Sequence, residues 1–136
     1  MMSTSIELDE TLLGRLRKVT GKSRQTPETT AAQLLEEGLR AREFPGIHFR
    51  DTDTGHQAMV PGIRVPVYFL ALLAREVDED IQTIADHYGI PTTAVIVALD
   101  YIRAFPDEIE HDIVEHEAAE DHLLATLPAD NIIVVP

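Results

Sequence analysis

The side chains able to do chemistry are few and scattered. His111, His116 and His122 lie among carboxylates, a mixture that could ligate a metal. Their separations of five and six residues miss the three- or four-residue step that stacks ligands on one helix face. The chain has no Cys, so no thiolate can complete such a site, and a disulfide framework and a cysteine nucleophile are excluded. Ser3, Ser5 and Ser23 are the only serines, and their segment holds no His, which argues against a serine triad. Asp78, Glu79 and Asp80 group three carboxylates, but beside a helix start they are expected to cap and to complement the helix dipole. The seven glycines are dispersed and form no phosphate-cradling loop. These residues predict a protein that is not an enzyme and uses no metal or cofactor.

Binding is then the chemistry left, and charge says where to look. The 136 residues carry a formal net charge of −13, which taken whole argues against a nucleic-acid binder. Residues 1–43 hold seven basic residues (Arg15, Arg17, Lys18, Lys22, Arg24, Arg40, Arg42) and seven acidic ones, a balance of zero. The whole excess therefore lies in 44–136, where Arg50, Arg64, Arg75 and Arg103 face seventeen acidic residues. Such asymmetry predicts two jobs with two kinds of partner. Trp is absent and aromatics are only 5%, so the core must rest on Leu, Ile, Val and Ala. No apolar run is long enough for a membrane span and the first residues do not read as a signal peptide, so a soluble cytoplasmic protein is expected.

The first segment opens with Thr4, Ile6 and Leu8 alternating with Ser3, Ser5 and Glu7, the pattern of a short strand. Asp9 reads as a helix N-cap, followed by a stripe of Leu12, Leu13, Leu16 and Val19. Gly21 closes that helix, Lys22 to Gln25 form a loop, and Thr26-Pro27-Glu28 starts a second helix with a stripe of Ala32, Leu35, Gly38 and Leu39. One strand and two helices in about forty residues bury too little surface to fold alone. A lone strand also leaves its edge unpaired. Two intertwined copies with antiparallel strands remove both problems, which predicts an obligate homodimer.

In this order of elements, Thr4-Ser-Ile-Glu-Leu-Asp, the Leu-rich helix, Gly-Lys-Ser-Arg and Ala-Gln-Leu-Leu-Glu-Glu-Gly-Leu, the segment resembles the ribbon-helix-helix DNA-binding fold. The resemblance implies that paired strands enter the major groove with Ser3, Ser5 and Glu7 as base readers. It implies a phosphate clamp at the start of the second helix, helped by Lys22, Ser23 and Arg24. Family ribbons often carry Arg, Lys or Asn where Ser and Glu stand here, which implies modest affinity per dimer.

From Phe44 to Ile109 the spacing predicts a short β-hairpin and three helices. Pro66 suits the first turn of a helix with a stripe of Leu70, Leu73, Ala74 and Val77. Asp80 caps a second with Ile81, Ile84, Ala85 and Tyr88, and after Gly89-Ile90-Pro91 a third carries Val95, Ala98, Leu99 and Ile102. Small Ala85 and turn-forming Gly89 make this a helix-turn-helix pattern. The outward face of the third helix is Thr93, Ile96, Val97, Asp100 and Arg103, poor in groups that read bases. Ile96 and Val97 are therefore expected to be covered by protein.

Pro45-Gly-Ile-His-Phe-Arg, Gly55, Ala58, Gly62-Ile-Arg-Val, Ile84-Ala-Asp-His-Tyr-Gly-Ile, Val95, Ala98-Leu-Asp-Tyr and Phe105-Pro-Asp-Glu-Ile resemble the bacterial family catalogued as domain of unknown function 433. With the first segment the resemblance covers about residues 3–110. Its members are similar to VapB-type antitoxins, which implies a PIN-like ribonuclease toxin as partner.

The last segment is acidic, with eight Asp or Glu and no Lys or Arg between Asp107 and Asp121. Asp107, Glu108, Glu110, Glu115 and Glu117 are the expected partner contacts, occupying a basic groove by charge mimicry. The β-prone end Asn131 to Pro136, with Ile132 and Ile133, could add as a strand to a partner's sheet or pair within the dimer. The expected architecture is mainly α with small β elements: ribbon-helix-helix over 1–43, hairpin plus tri-helical unit over 44–109, and acidic helix and tail over 110–136. The expected function is that of an antitoxin that binds its toxin and represses its own operon, or else of a stand-alone dimeric transcription regulator.

Overall fold

A computed structural model describes residues 3–22, 24–53 and 55–126. Among these residues the chain is mainly helical with one small antiparallel sheet, and it divides into two compact units, Met1–Arg40 and Ala41–Pro136.

The first unit contains α1 (Glu10–Thr20) and most of α2 (Pro27–Glu43). The Leu12 N–H donates to the Asp9 carboxylate at 2.8 Å, and Glu10 in the first turn with Arg17 and Lys18 in the last complement the dipole of α1. Thr26 caps α2 by accepting from the Thr29 N–H at 3.2 Å. Packing is sparse: Leu16 is the one apolar side chain buried in this unit among the described residues, beside Thr20 and Thr30. The strand expected before α1 is not formed; residues 3–9 carry no strand pairing. The physical reason is that a strand exists through its neighbour, and a single chain offers these residues none.

The second unit begins with β1 (His48–Thr52) and β2 (Gly55–Met59), paired antiparallel with His48 opposite Met59 and Thr52 opposite Gly55. Ahead of them, Gly46 (φ +100°) turns so close to Pro61 that a Cβ would sit 2.7 Å from the Pro61 Cβ. Four helices follow: α3 (Val67–Glu76), α4 (Ile81–Tyr88), α5 (Thr92–Ala104) and α6 (Pro106–Thr126). The periodic residues point inward, with Leu70, Ile84, Val95 and Ala98 fully buried and Ala74, Ala85 and Leu99 nearly so. Phe44, Tyr101 and Phe105 form a cluster of ring contacts that seals the core near the α5–α6 junction.

Two turns set the angles between α3, α4 and α5, and they share one hydrogen-bond pattern. The Glu79 N–H reaches back to the Ala74 carbonyl at 2.8 Å, and the Ile90 N–H to the Ala85 carbonyl at 3.1 Å. Each needs a left-handed residue just before the donor. After α4 it is Gly89 at φ 65°; after α3 it is Asp78 at φ 52°, with Glu79 also left-handed at 57°. Asp80 then caps α4 by accepting from the Thr83 N–H at 3.0 Å.

Residues 110–126 continue the helix that starts at Pro106, whose Ile109 and Ile113 are buried in the shared core. Helix α6 packs on α3 and α5.

Candidate functional site

In the first unit the feature left open is apolar. Leu8, Leu12, Leu16 and Val19 from α1 and its lead-in, with Ala31, Leu34 and Leu35 from α2, line a groove of about 610 Å³ rimmed by Arg15 and Lys18. The groove is the seam where α1 and α2 meet; on α2 it is lined by Ala31, Leu34 and Leu35, so of the expected stripe of Ala32, Leu35, Gly38 and Leu39 only Leu35 faces it. Of these, Leu12 is 45% exposed, Val19 51% and Leu35 55%, values that a closed core would not allow.

The groups expected to contact DNA lie at the edges of the same unit. Ser3, Ser5 and Glu7 are exposed in the extended lead-in to α1, and Lys22 and Arg24 are exposed in the loop between α1 and α2. Ser23 lies outside the described residues, as do Ile132 and Ile133.

In the second unit the expected partner contacts separate by environment. Ile96 is exposed on α5, whereas Val97 is partly buried and packs against the core of its own unit. Glu108 accepts a hydrogen bond from the fully buried Tyr101 hydroxyl at 2.9 Å, and Glu110 is ion-paired with Arg75 at 2.5 Å. Those two carboxylates already hold α6 to α5 and α3. Asp107, Glu115 and Glu117 are exposed.

Two features here escape sequence reading. Burial, and then the neighbouring Glu108, push the Asp112 carboxyl above its ordinary range, while His111 pulls the other way. His116 is not simply solvated: it is half-buried against Tyr68 and Phe69, with its Nδ1 3.4 Å from the Tyr68 hydroxyl. Tyr68 lies 48 residues away, and no local pattern signals the contact. Among the described residues no cluster of three His or carboxylates is placed to hold a metal ion, and no helix is long and apolar enough to cross a membrane.

The geometry therefore defines two open surfaces, an apolar groove in one unit and an acidic helix in the other. Comparison with models of known families, with curated proteins and with solved structures found no match for this chain.

Proposed function

We propose that this chain is a homodimeric DNA-binding antitoxin that represses its own operon and neutralises a PIN-like ribonuclease toxin by direct binding. The observation that carries the reading is the open groove of the first unit. A forty-residue unit with Leu16 as the one buried apolar side chain among its described residues cannot hold itself together by hydrophobic burial. A second copy supplies what is missing on both counts. It covers the Leu12, Val19, Leu34 and Leu35 face, and it gives residues 3–9 a strand to pair with. The charge balance of zero over residues 1–43 means that the pairing meets no net repulsion.

Paired strands place Ser3, Ser5 and Glu7 of both copies on one ribbon, while Lys22, Ser23 and Arg24 flank the start of α2 for phosphate contact. The ribbon-helix-helix resemblance supports this arrangement. Toxin binding falls to the second unit, whose exposed carboxylates Asp107, Glu115 and Glu117 suit a basic RNA-gripping groove. The resemblance to the antitoxin-associated family supports that assignment.

The test is a reconstitution. The chain is co-expressed with the protein of the adjacent reading frame, the neighbour alone is tagged, and the complex is assayed for ribonuclease activity and for binding to the upstream promoter DNA. A complex that silences the nuclease and binds the promoter is expected. Lys22→Gln with Arg24→Gln should weaken DNA binding equally across DNA sequences. The same change should flatten the salt dependence by about 0.9 for each phosphate that the variant no longer neutralises. Promoter binding by a homodimer with no associated nuclease would leave a stand-alone regulator in its place.

A further inference from the structure

We propose that Arg15 and Lys18 extend the loop after α1 into a continuous cationic strip along one flank of that helix, a grip on the backbone of duplex DNA that does not depend on base sequence. The inference rests on the DNA-binding reading and adds two residues that the ribbon-helix-helix resemblance does not assign.

Residues 11–27 contain Arg15, Arg17, Lys18, Lys22 and Arg24 and no Asp or Glu, so a stretch of charge +5 stands within a chain of net charge −13. All five side chains are exposed. Among the described residues none of the five is paired with a carboxylate, whereas Arg40 meets Glu36, Arg75 meets Glu110, and Arg103 meets Glu79 and Asp100. Like charges left without a counter-charge repel one another, and a polyanion laid against them relieves that repulsion. Screening confines exposed charges to a range of about 8 Å at physiological salt, so the local sign of the strip, not the net charge of the chain, decides what docks against it.

Helical geometry sorts the five. Arg15 and Lys18 are three residues apart and both rim the apolar groove, so they share a flank of α1. Gly21 keeps right-handed helical dihedrals, φ −61° and ψ −15°, and the Lys22 N–H reaches back to the Val19 carbonyl at 3.3 Å. Lys22 therefore follows four residues after Lys18 on the same side. Arg17, two residues from Arg15, lies about 200° round the helix on the opposite flank. The row Arg15, Lys18, Lys22 advances roughly 10 Å along the axis and ends beside Arg24 and the start of α2. Each strand of a duplex carries a phosphate about every 3.4 Å of axis, so every cation of the row has one within reach of its long side chain. A row of cations matches the evenly repeated charge of a backbone, and a two-fold dimer carries the row twice.

The test uses the full chain, a promoter duplex and a duplex of unrelated sequence, titrated from about 50 to 200 mM salt. Arg15→Gln with Lys18→Gln removes two cations from each protomer and should lower the slope of log affinity against log salt by about 3.6 per dimer, equally on both duplexes. Over that range the wild-type chain should lose about 100-fold more affinity than the variant. Arg17→Gln, on the opposite flank, should leave the slope unchanged. Circular dichroism checks that α1 is intact in each variant, and sedimentation checks the dimer. If Arg15→Gln with Lys18→Gln keeps the wild-type slope while Lys22→Gln with Arg24→Gln lowers it, the strip is overturned and the DNA-binding reading stands. An equal loss from Arg17→Gln would mean that overall charge rather than the strip is felt, and overturns it too. If the Arg15 and Lys18 variant instead dissociates the dimer, the two residues join copies and the proposal fails. If the wild-type chain binds neither duplex, both readings fall.

Discussion

The groove in the first unit gives the sharpest quantitative expectation. Leu34 and Leu35 line it and remain 47% and 55% exposed, so together they leave about one leucine side chain's worth of apolar surface in water. Covering that surface with a second copy contributes about 2 kcal/mol per protomer, or about 4 kcal/mol across a two-fold interface. Leu34→Ser with Leu35→Ser should then weaken the dimer about 1,000-fold. Sedimentation equilibrium of the full chain over a wide concentration range reads the dissociation constant directly. Thermal unfolding supplies a second readout, because the midpoint of a dimer rises with concentration and that of a monomer does not. The variant should lose this concentration dependence in the first unit while the second unit, which has its own core, unfolds as before. A wild-type chain that sediments as a monomer throughout, or a variant with unchanged dissociation, would refute the pairing argument.

Three further expectations concern the second unit. Asp78 adopts a left-handed conformation that glycine tolerates at lower cost, so Asp78→Gly should stabilise the unit by about 0.5 kcal/mol, whereas Gly89→Ala, at φ 65° with open space around it, should destabilise it by about 1 kcal/mol; chemical denaturation distinguishes the signs. Tyr101→Phe removes the buried hydroxyl that Glu108 accepts and should cost about 1–2 kcal/mol in the same experiment. The Asp112 carboxyl holds its proton more tightly folded than unfolded, so its contribution is favourable at acid pH and is lost as pH rises through its elevated folded value. Asp112→Asn should therefore raise the melting temperature at pH 7, and the difference should vanish once pH falls below the ordinary carboxylate range.

Local chemistry was legible in the sequence. Asp9, Thr26, Asp80 and Gly89 mark helix ends through interactions with residues three to five positions away, and the structure places them in those roles. The stripes of α3, α4 and α5 were legible for the same reason, because a 3.6-residue period is a property of neighbours. Asp78 was not, since an aspartate beside two other acids looks like a capping residue, and only the turn geometry shows it in the position glycine usually takes. Contacts made at a distance were also invisible: Arg75 with Glu110, Tyr68 with His116, and the packing of Val97 against the core. The segment over residues 3–9 shows the converse limit. Its alternation is plain, yet no strand forms there, because alternation alone supplies no neighbouring strand to pair with.

Charge and burial together restrict how copies of this chain can meet. Among its described residues the first unit buries Leu16 as its one apolar side chain, and residues 1–43 carry balanced charge, so pairing there would gain apolar burial with no net repulsion. The second unit already has its core, while residues 44–136 carry the whole excess of −13, so contact between copies there gains little and sets like charges against each other. Under the proposed function, homodimerisation would fall to the first unit on both counts, and the second unit's acidic helix would be left for a partner of opposite charge. The two interfaces should respond oppositely to salt. Screening shortens to about 3 Å at 1 M ionic strength. The homodimer, held by leucines, should persist or tighten there as repulsion between the acidic units is screened. The complex with a cationic partner should associate more slowly as salt rises. A homodimer that dissociates with added salt would mean that charge pairs rather than the leucine groove join the copies, and the division of labour drawn between the two units would have to be abandoned.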